Sequence, residues 1–77
     1  MVTKRVKLIF PKELIKEPVI FTMAKKFDVM PNIRRARITD SMGEVVLEFE
    51  GTEKKLEEGI AYLRSRGVKV EAIEGDF

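Results

Sequence analysis

Seventy-seven residues allow one domain, 1–77, with one core: domains usually run to roughly 100–150 residues, and so short a chain buries only about 60% of its unfolded surface. An apolar fraction of 44% beside a charged fraction of 36%, with a net charge of only +2, excludes the apolar-poor, highly charged class of disordered chains. No apolar run approaches the roughly 20 residues of a membrane helix, and nothing at the start reads as a secretory leader, so a cytoplasmic location without membrane insertion is expected.

Cysteine is absent, which excludes disulfides, thiol catalysis and cysteine-held metal clusters. Histidine is absent too, and with it the commonest general base and metal ligand. The chain has no Gln and a single Asn, Asn32. With abundant Lys, Arg and Glu, this composition leans toward that of thermophile proteins. The net charge conceals a split along the chain. Residues 1–39 carry ten Lys/Arg against three acids, and residues 40–77 carry five against ten, so +7 is followed by −5. Such asymmetry marks either a charged interaction face or two halves that neutralise each other once folded.

In chain order, residues 3–10 alternate, with Val6, Leu8 and Phe10 on one parity and Arg5, Lys7 and Ile9 on the other, which predicts a half-buried strand ended by Pro11. Pro18 suits the first turn of a helix, and Ile20, Met23, Ala24 and Phe27 form its apolar stripe, ending near Asp28. Pro31 and Asn32 open a second strand over 33–39. Asp40-Ser41-Met42-Gly43 reads as a four-residue hairpin loop, and the third strand covers 44–50. The Thr52 hydroxyl is placed to cap a second helix, with Leu56, Gly59, Ile60 and Leu63 as its stripe and Gly67 as its left-handed stop. Residues 68–73 form the last strand.

The order βαββαβ is the ferredoxin-like, α+β plan: a four-stranded antiparallel sheet in spatial order 4-1-3-2 with two helices on one face. Parity then divides the sheet. Val6, Leu8, Phe10, Ala36, Ile38, Val45, Leu47, Phe49, Val68 and Val70 are expected under the helices. The open face is expected to carry Lys69 and Glu71 on the last strand, Arg5 and Lys7 on the first, Glu48 and Glu50 on the third, and Arg35 and Arg37 on the second. Charges of alternating sign interleave across the strands, which accounts for much of the asymmetry. Single-stranded RNA binding on this plan needs aromatics on the open face. Here Phe10 and Phe49 lie on the core parity, and glutamates occupy the middle, so no nucleic-acid partner is expected.

No catalytic residue, metal site or cofactor is expected. Glu57-Glu58 reads as helix surface and Glu74 with Asp76 as tail; the glycines are isolated rather than grouped in a phosphate loop, and no EF-hand spacing occurs. Two features remain. Arg34-Arg35-Ala36-Arg37 is the densest basic cluster; strand alternation sends Arg35 and Arg37 one way and Arg34 the other, as solvated edge charges or as an interaction surface. Asn32, at the entry to the second strand, offers a donor and an acceptor together, which suits the ammonium and carboxylate of an amino acid; the simpler reading is a turn residue bonding its own backbone. Met23, Met30 and Met42 read first as packing residues.

Phe10-Pro11, Leu14, Glu17-Pro18, Phe27-Asp28, Asn32-Ile33, Ala36-Arg37, Gly51 and Gly67-Val68-Lys69-Val70 together resemble the NIL domain family over nearly the whole chain. The family's Asn-Ile-Leu motif reads Asn32-Ile33-Arg34 here. The resemblance implies either of two settings: a regulatory domain appended to the ATPase of methionine-uptake ABC transporters, or a domain preceding an iron–sulfur ferredoxin module. It implies a cytoplasmic, non-enzymatic binding domain for methionine or a related sulfur amino acid. Asn32 would engage the polar end of the ligand, with Ile33 and Met30 near the thioether, at a homodimer interface formed by the edge strand. The alternative is a protein-docking module that accompanies a ferredoxin or biosynthetic partner, with Arg34, Arg35 and Arg37 as its contact surface and no small ligand.

Overall fold

The structure, a computed structural model, describes residues 1–73; the acidic tail pair Glu74 and Asp76 lies outside the described residues. Four strands, β1 (Val2–Pro11), β2 (Met30–Ile38), β3 (Met42–Gly51) and β4 (Lys69–Ala72), form one antiparallel sheet in the order β2-β3-β1-β4, as expected. Helices α1 (Val19–Phe27) and α2 (Glu53–Ser65) pack on one face, and a 3-10 turn at Lys12–Leu14 joins β1 to α1.

β1 pairs with β3 along its whole length, from Val2↔Gly51 to Pro11↔Met42. Their shared inner face carries Val6, Leu8, Phe10, Val45, Leu47 and Phe49, each at most 5% exposed. Leu14, from the 3-10 turn, closes one end of this core, and Met23, Leu56 and Leu63 press onto it from the helices.

The helix ends follow from their residues. Pro18 occupies the position just before α1 rather than its first turn, where a missing N–H costs nothing. α1 ends at Asp28 in the left-handed region, φ 56°, with Val29 N donating to Ala24 O at 3.0 Å. The Thr52 hydroxyl accepts from Lys55 N at 3.2 Å and caps α2. At the far end Gly67, φ 98°, lets its own N–H reach Arg64 O and the Val68 N–H reach Leu63 O, both at 3.0 Å, the paired closure of a Schellman motif.

The hairpin is tighter than expected. Thr39 N donates to Met42 O at 2.8 Å and Met42 N donates to the Thr39 hydroxyl at 3.1 Å, so Met42 and Gly43 already belong to β3 and the loop is only Asp40-Ser41.

The larger correction concerns β2. Ala36 and Ile38 lie on the expected parity, opposite Val45 and Gly43, yet both are exposed, Ile38 by 60%. The cause is length. A nine-residue α1 spans about 13 Å, whereas a nine-residue strand extends about 30 Å, so the helix covers less than half of it. Val46 departs the other way: it faces the open side but is 3% exposed, with Lys7 and Arg35 directly opposite it in the ladder.

Candidate functional site on the edge strand

β2 bonds to β3 along one edge and, among the described residues, has no neighbour on the other. All its residues but Pro31 are exposed, including Met30 at 65%, Ile33 at 56% and Ile38 at 60%. The spacing of its apolar residues explains its shape. Ala36 and Ile38 are two apart, as a strand requires, but Ile33 and Ala36 are three apart. The ladder absorbs the extra residue as a bulge at Arg34: Ile33 faces Leu47 and Arg35 faces Val46, two residues of β2 separated by one further residue against consecutive residues of β3.

That bulge decides which face each candidate residue takes. Residues directly opposite in an antiparallel ladder share a face. Asn32 faces Glu48 and Met30 faces Glu50, so both lie on the open face; Ile33 faces buried Leu47 and lies on the helix face. Met30 and Asn32 are thus brought together two residues apart, and Ile33 is sent to the other side of the sheet. Asn32 lies inside the strand rather than in the loop that precedes it. Its side-chain amide has no hydrogen-bond partner among the described residues, so it is not the self-satisfied turn residue of the simpler reading.

Arg34 is corrected as well. Simple alternation sends it away from Arg35, but the bulge turns it to the open face, where its Nη1 lies 3.9 Å from Glu48 Oε1. The other oxygen of that carboxylate accepts from Arg5 Nε at 2.9 Å, and Lys7 Nζ lies 3.4 Å from Glu44 Oε1. Glu48 therefore joins three strands on the open face, the alternation of sign expected from parity. Among the described residues, Arg35 and Arg37 have no such partner. They line a shallow cleft of about 280 Å³ with Glu44 and Val46.

The helix face of the same strand carries an apolar groove of about 210 Å³. Its rim is Ile38 and Phe21, the latter 66% exposed on α1, and its floor reaches the buried Phe10 and Val45. Sequence reasoning assigned neither Phe21 nor Glu48 to a site. The signal for Glu48 was present, because a break in apolar spacing at Arg34 shifts the register and sets it against Asn32.

Among the described residues there is no group of three or more His, Cys, Asp or Glu placed to hold a metal ion, and no helix long and apolar enough to cross a membrane.

Residues 4–72 match the family model of the NIL domain. The chain belongs to the NIL domain family. Among curated relatives, this NIL domain is 33% identical over 75 residues to the methionine import ATP-binding protein MetN 1 of Listeria innocua, covering 92% of this chain and 22% of that protein. It is 32% identical over 68 residues to the methionine import ATP-binding protein MetN of Coxiella burnetii, covering 83% and 19%. It spans only about a fifth of the length of such relatives. Among solved structures, the C-terminal domain of an ABC transporter/ATP-binding protein from Enterococcus faecalis matches with a TM-score of 0.82 at 26% identity, over 95% of this chain and 86% of that one. The C-terminal domain of the MgtC protein from Mycobacterium tuberculosis matches at 20% identity with a TM-score of 0.53 over 94% and 87%, which speaks to the fold alone.

Proposed function

We propose that this NIL domain is a non-enzymatic, cytoplasmic regulatory domain that senses methionine or a related sulfur amino acid at a homodimer interface formed through β2, in association with a transporter ATPase. The observation that carries the reading is the uncovered edge strand. It presents at Asn32 an amide without a hydrogen-bond partner among the described residues, on the same face as Met30, and on its other face the exposed apolar residues Ile33, Ala36 and Ile38. A second copy added to that edge extends the sheet and covers the strip from both sides. In this reading Asn32 and Met30 meet the ligand, while Ile33 packs within the dimer. The names of the relatives support methionine as the first ligand to test.

The test is a ¹⁵N-correlation NMR titration of the chain with methionine and, separately, homocysteine, alongside sedimentation velocity. Saturable shifts centred on Met30 and Asn32, lost in Asn32→Ala, are expected together with a dimer. A monomer both with and without ligand overturns the interface. One observation favours a second reading: Arg35 and Arg37 carry no counter-ion among the described residues, which suits a module docking an acidic protein surface, such as that of a ferredoxin or biosynthetic partner. That reading takes over if the spectra stay silent at millimolar concentrations of both amino acids.

A further inference from the structure

Two arginines on the open face go without a partner although the ladder offers one. Arg37 stands directly opposite Glu44, yet the Glu44 carboxylate is taken by Lys7 of β1, Nζ to Oε1 at 3.4 Å. Arg35, on the same face and about 7 Å along the strand, stands opposite Val46, which has no charge to offer. Among the described residues neither guanidinium has an ion pair or a side-chain hydrogen bond. Both line the shallow cleft of about 280 Å³, with Glu44 and the 3% exposed Val46 as its other walls. Since Lys7 neutralises Glu44, the cleft holds two uncompensated positive charges.

Charge and shape select what can fill it. A carboxylate has one charge and two oxygens, which a single arginine satisfies through two parallel N–H bonds. A phosphate monoester carries about −1.5 to −2 at pH 7 and three terminal oxygens, so it can accept from both guanidinia and match both charges. The volume lies just below the roughly 300–1,000 Å³ of sites for drug-sized ligands, which suits a compact group. A broad acidic protein surface fits less well. The same face carries Glu48, Glu50 and Glu71, opposite Arg5, Thr3 and Lys7, and a footprint of about 800 Å² per partner would lie over them.

We propose that this cleft is a binding site for a phosphate group, as the free ion or as a monoester, held between Arg35 and Arg37 of a single chain while Lys7 neutralises Glu44. The site is complete within one protomer. It goes beyond methionine sensing, whose candidate residues Met30 and Asn32 lie before the bulge at Arg34. Arginine at both positions gives the planar fork that phosphate oxygens match; lysine supplies the charge without that geometry.

The experiment is a set of ¹⁵N-correlation NMR titrations in phosphate-free buffer at constant, low ionic strength, with inorganic phosphate, AMP, adenosine, acetate and a poly-Glu peptide as separate probes. Inorganic phosphate or AMP should give saturable shifts at Arg35, Arg37, Glu44 and Val46 with a Kd of about 1 mM or below. Adenosine should give none there, and acetate should bind at least about tenfold more weakly. Tighter binding of AMP identifies an ester as the ligand, and equal or tighter binding of inorganic phosphate identifies the free ion; both support the site. Arg35→Gln with Arg37→Gln should weaken binding at least about tenfold, and Arg35→Lys with Arg37→Lys at least about threefold. Lys25→Gln with Lys26→Gln removes the same charge from exposed positions on α1 and should change affinity less than about twofold. Silent spectra with both phosphate probes at ~10 mM overturn the site. So does equal weakening by the lysine and arginine pairs, which would mark a general charge effect, or full binding by the Arg→Lys pair. Shifts in the cleft with the poly-Glu peptide but with neither phosphate probe overturn it in favour of an acidic protein partner.

Discussion

β3 and β2 are neighbours of similar length in one sheet, and they have opposite fates. In β3, Val45, Val46, Leu47 and Phe49 are each at most 5% exposed, and the strand is paired on both edges. In β2 no residue is fully buried, one edge has no neighbour among the described residues, and three large apolar side chains are exposed. Since both are strands of comparable apolar content, composition does not separate them; coverage does. The inner strand holds the fold, and the outer one is held by it, which leaves its side chains free to be chosen for something other than stability. Exposed apolar side chains along an uncovered edge are a feature that soluble proteins normally suppress, which makes this strand the one to test for self-association.

The comparison breaks most visibly at Phe49. Phe49→Ala should destabilise the fold by about 3–5 kcal/mol, through lost transfer energy and an unfilled cavity. That is a large share of the total for a chain this short, at about 0.05–0.15 kcal/mol per residue. Urea unfolding measures it; a loss below about 1 kcal/mol would mean that β3 is not the centre of the core. Gly59→Ala is the next largest. A Cβ there lies 2.8 Å from Met23 Sδ at the contact between α1 and α2, so overpacking of about 1–3 kcal/mol outweighs a helix-propensity gain of about 1 kcal/mol. The net expectation is a loss of about 1 kcal/mol, with no change in ligand binding.

On the edge strand the same experiment should come out differently. Ile33→Thr with Ile38→Thr keeps the β-branched shape and removes apolar surface that the monomer never buried. The stability of the monomer should change by less than about 1 kcal/mol, while the self-association constant, read by sedimentation, should fall at least about tenfold. If unfolding stability drops as far as in Phe49→Ala with association intact, the strip serves the monomer's own core and the contrast between the two strands is false.

How far this division was legible follows from what each feature depends on. Local alternation in β1 and β3, the Thr52 cap and the Gly67 stop need only neighbours within a few residues, and the fold built from them, with its strand order, stands. The parity of Ala36 and Ile38 was equally local, but their burial was not, because it depends on how far α1 reaches across the sheet. Asn32 was picked out by chemistry and misplaced by one element. The three-residue gap between Ile33 and Ala36 carried the bulge, and with it the face that Asn32, Arg34 and Glu48 share, but one gap in spacing reads as a bulge only once the hairpin register is known.

The smallest expected effect lies at the junction that delivers the chain from α1 into β2. Asp28 holds a left-handed conformation, φ 56° and ψ 51°, that disfavours any residue with a Cβ, though Asp less than most. Its carboxylate accepts from Lys55 Nζ at 2.9 Å, but that side chain is 86% exposed and the pair is screened by water. Asp28→Gly relieves the backbone and loses the ion pair. Relief should win by about 0.5 kcal/mol, or roughly 2–4 °C in Tm. A fall in Tm that disappears when Lys55→Met is made first would show instead that the Asp28–Lys55 tie, rather than the left-handed turn, sets how firmly β2 is launched from the packed half of the molecule.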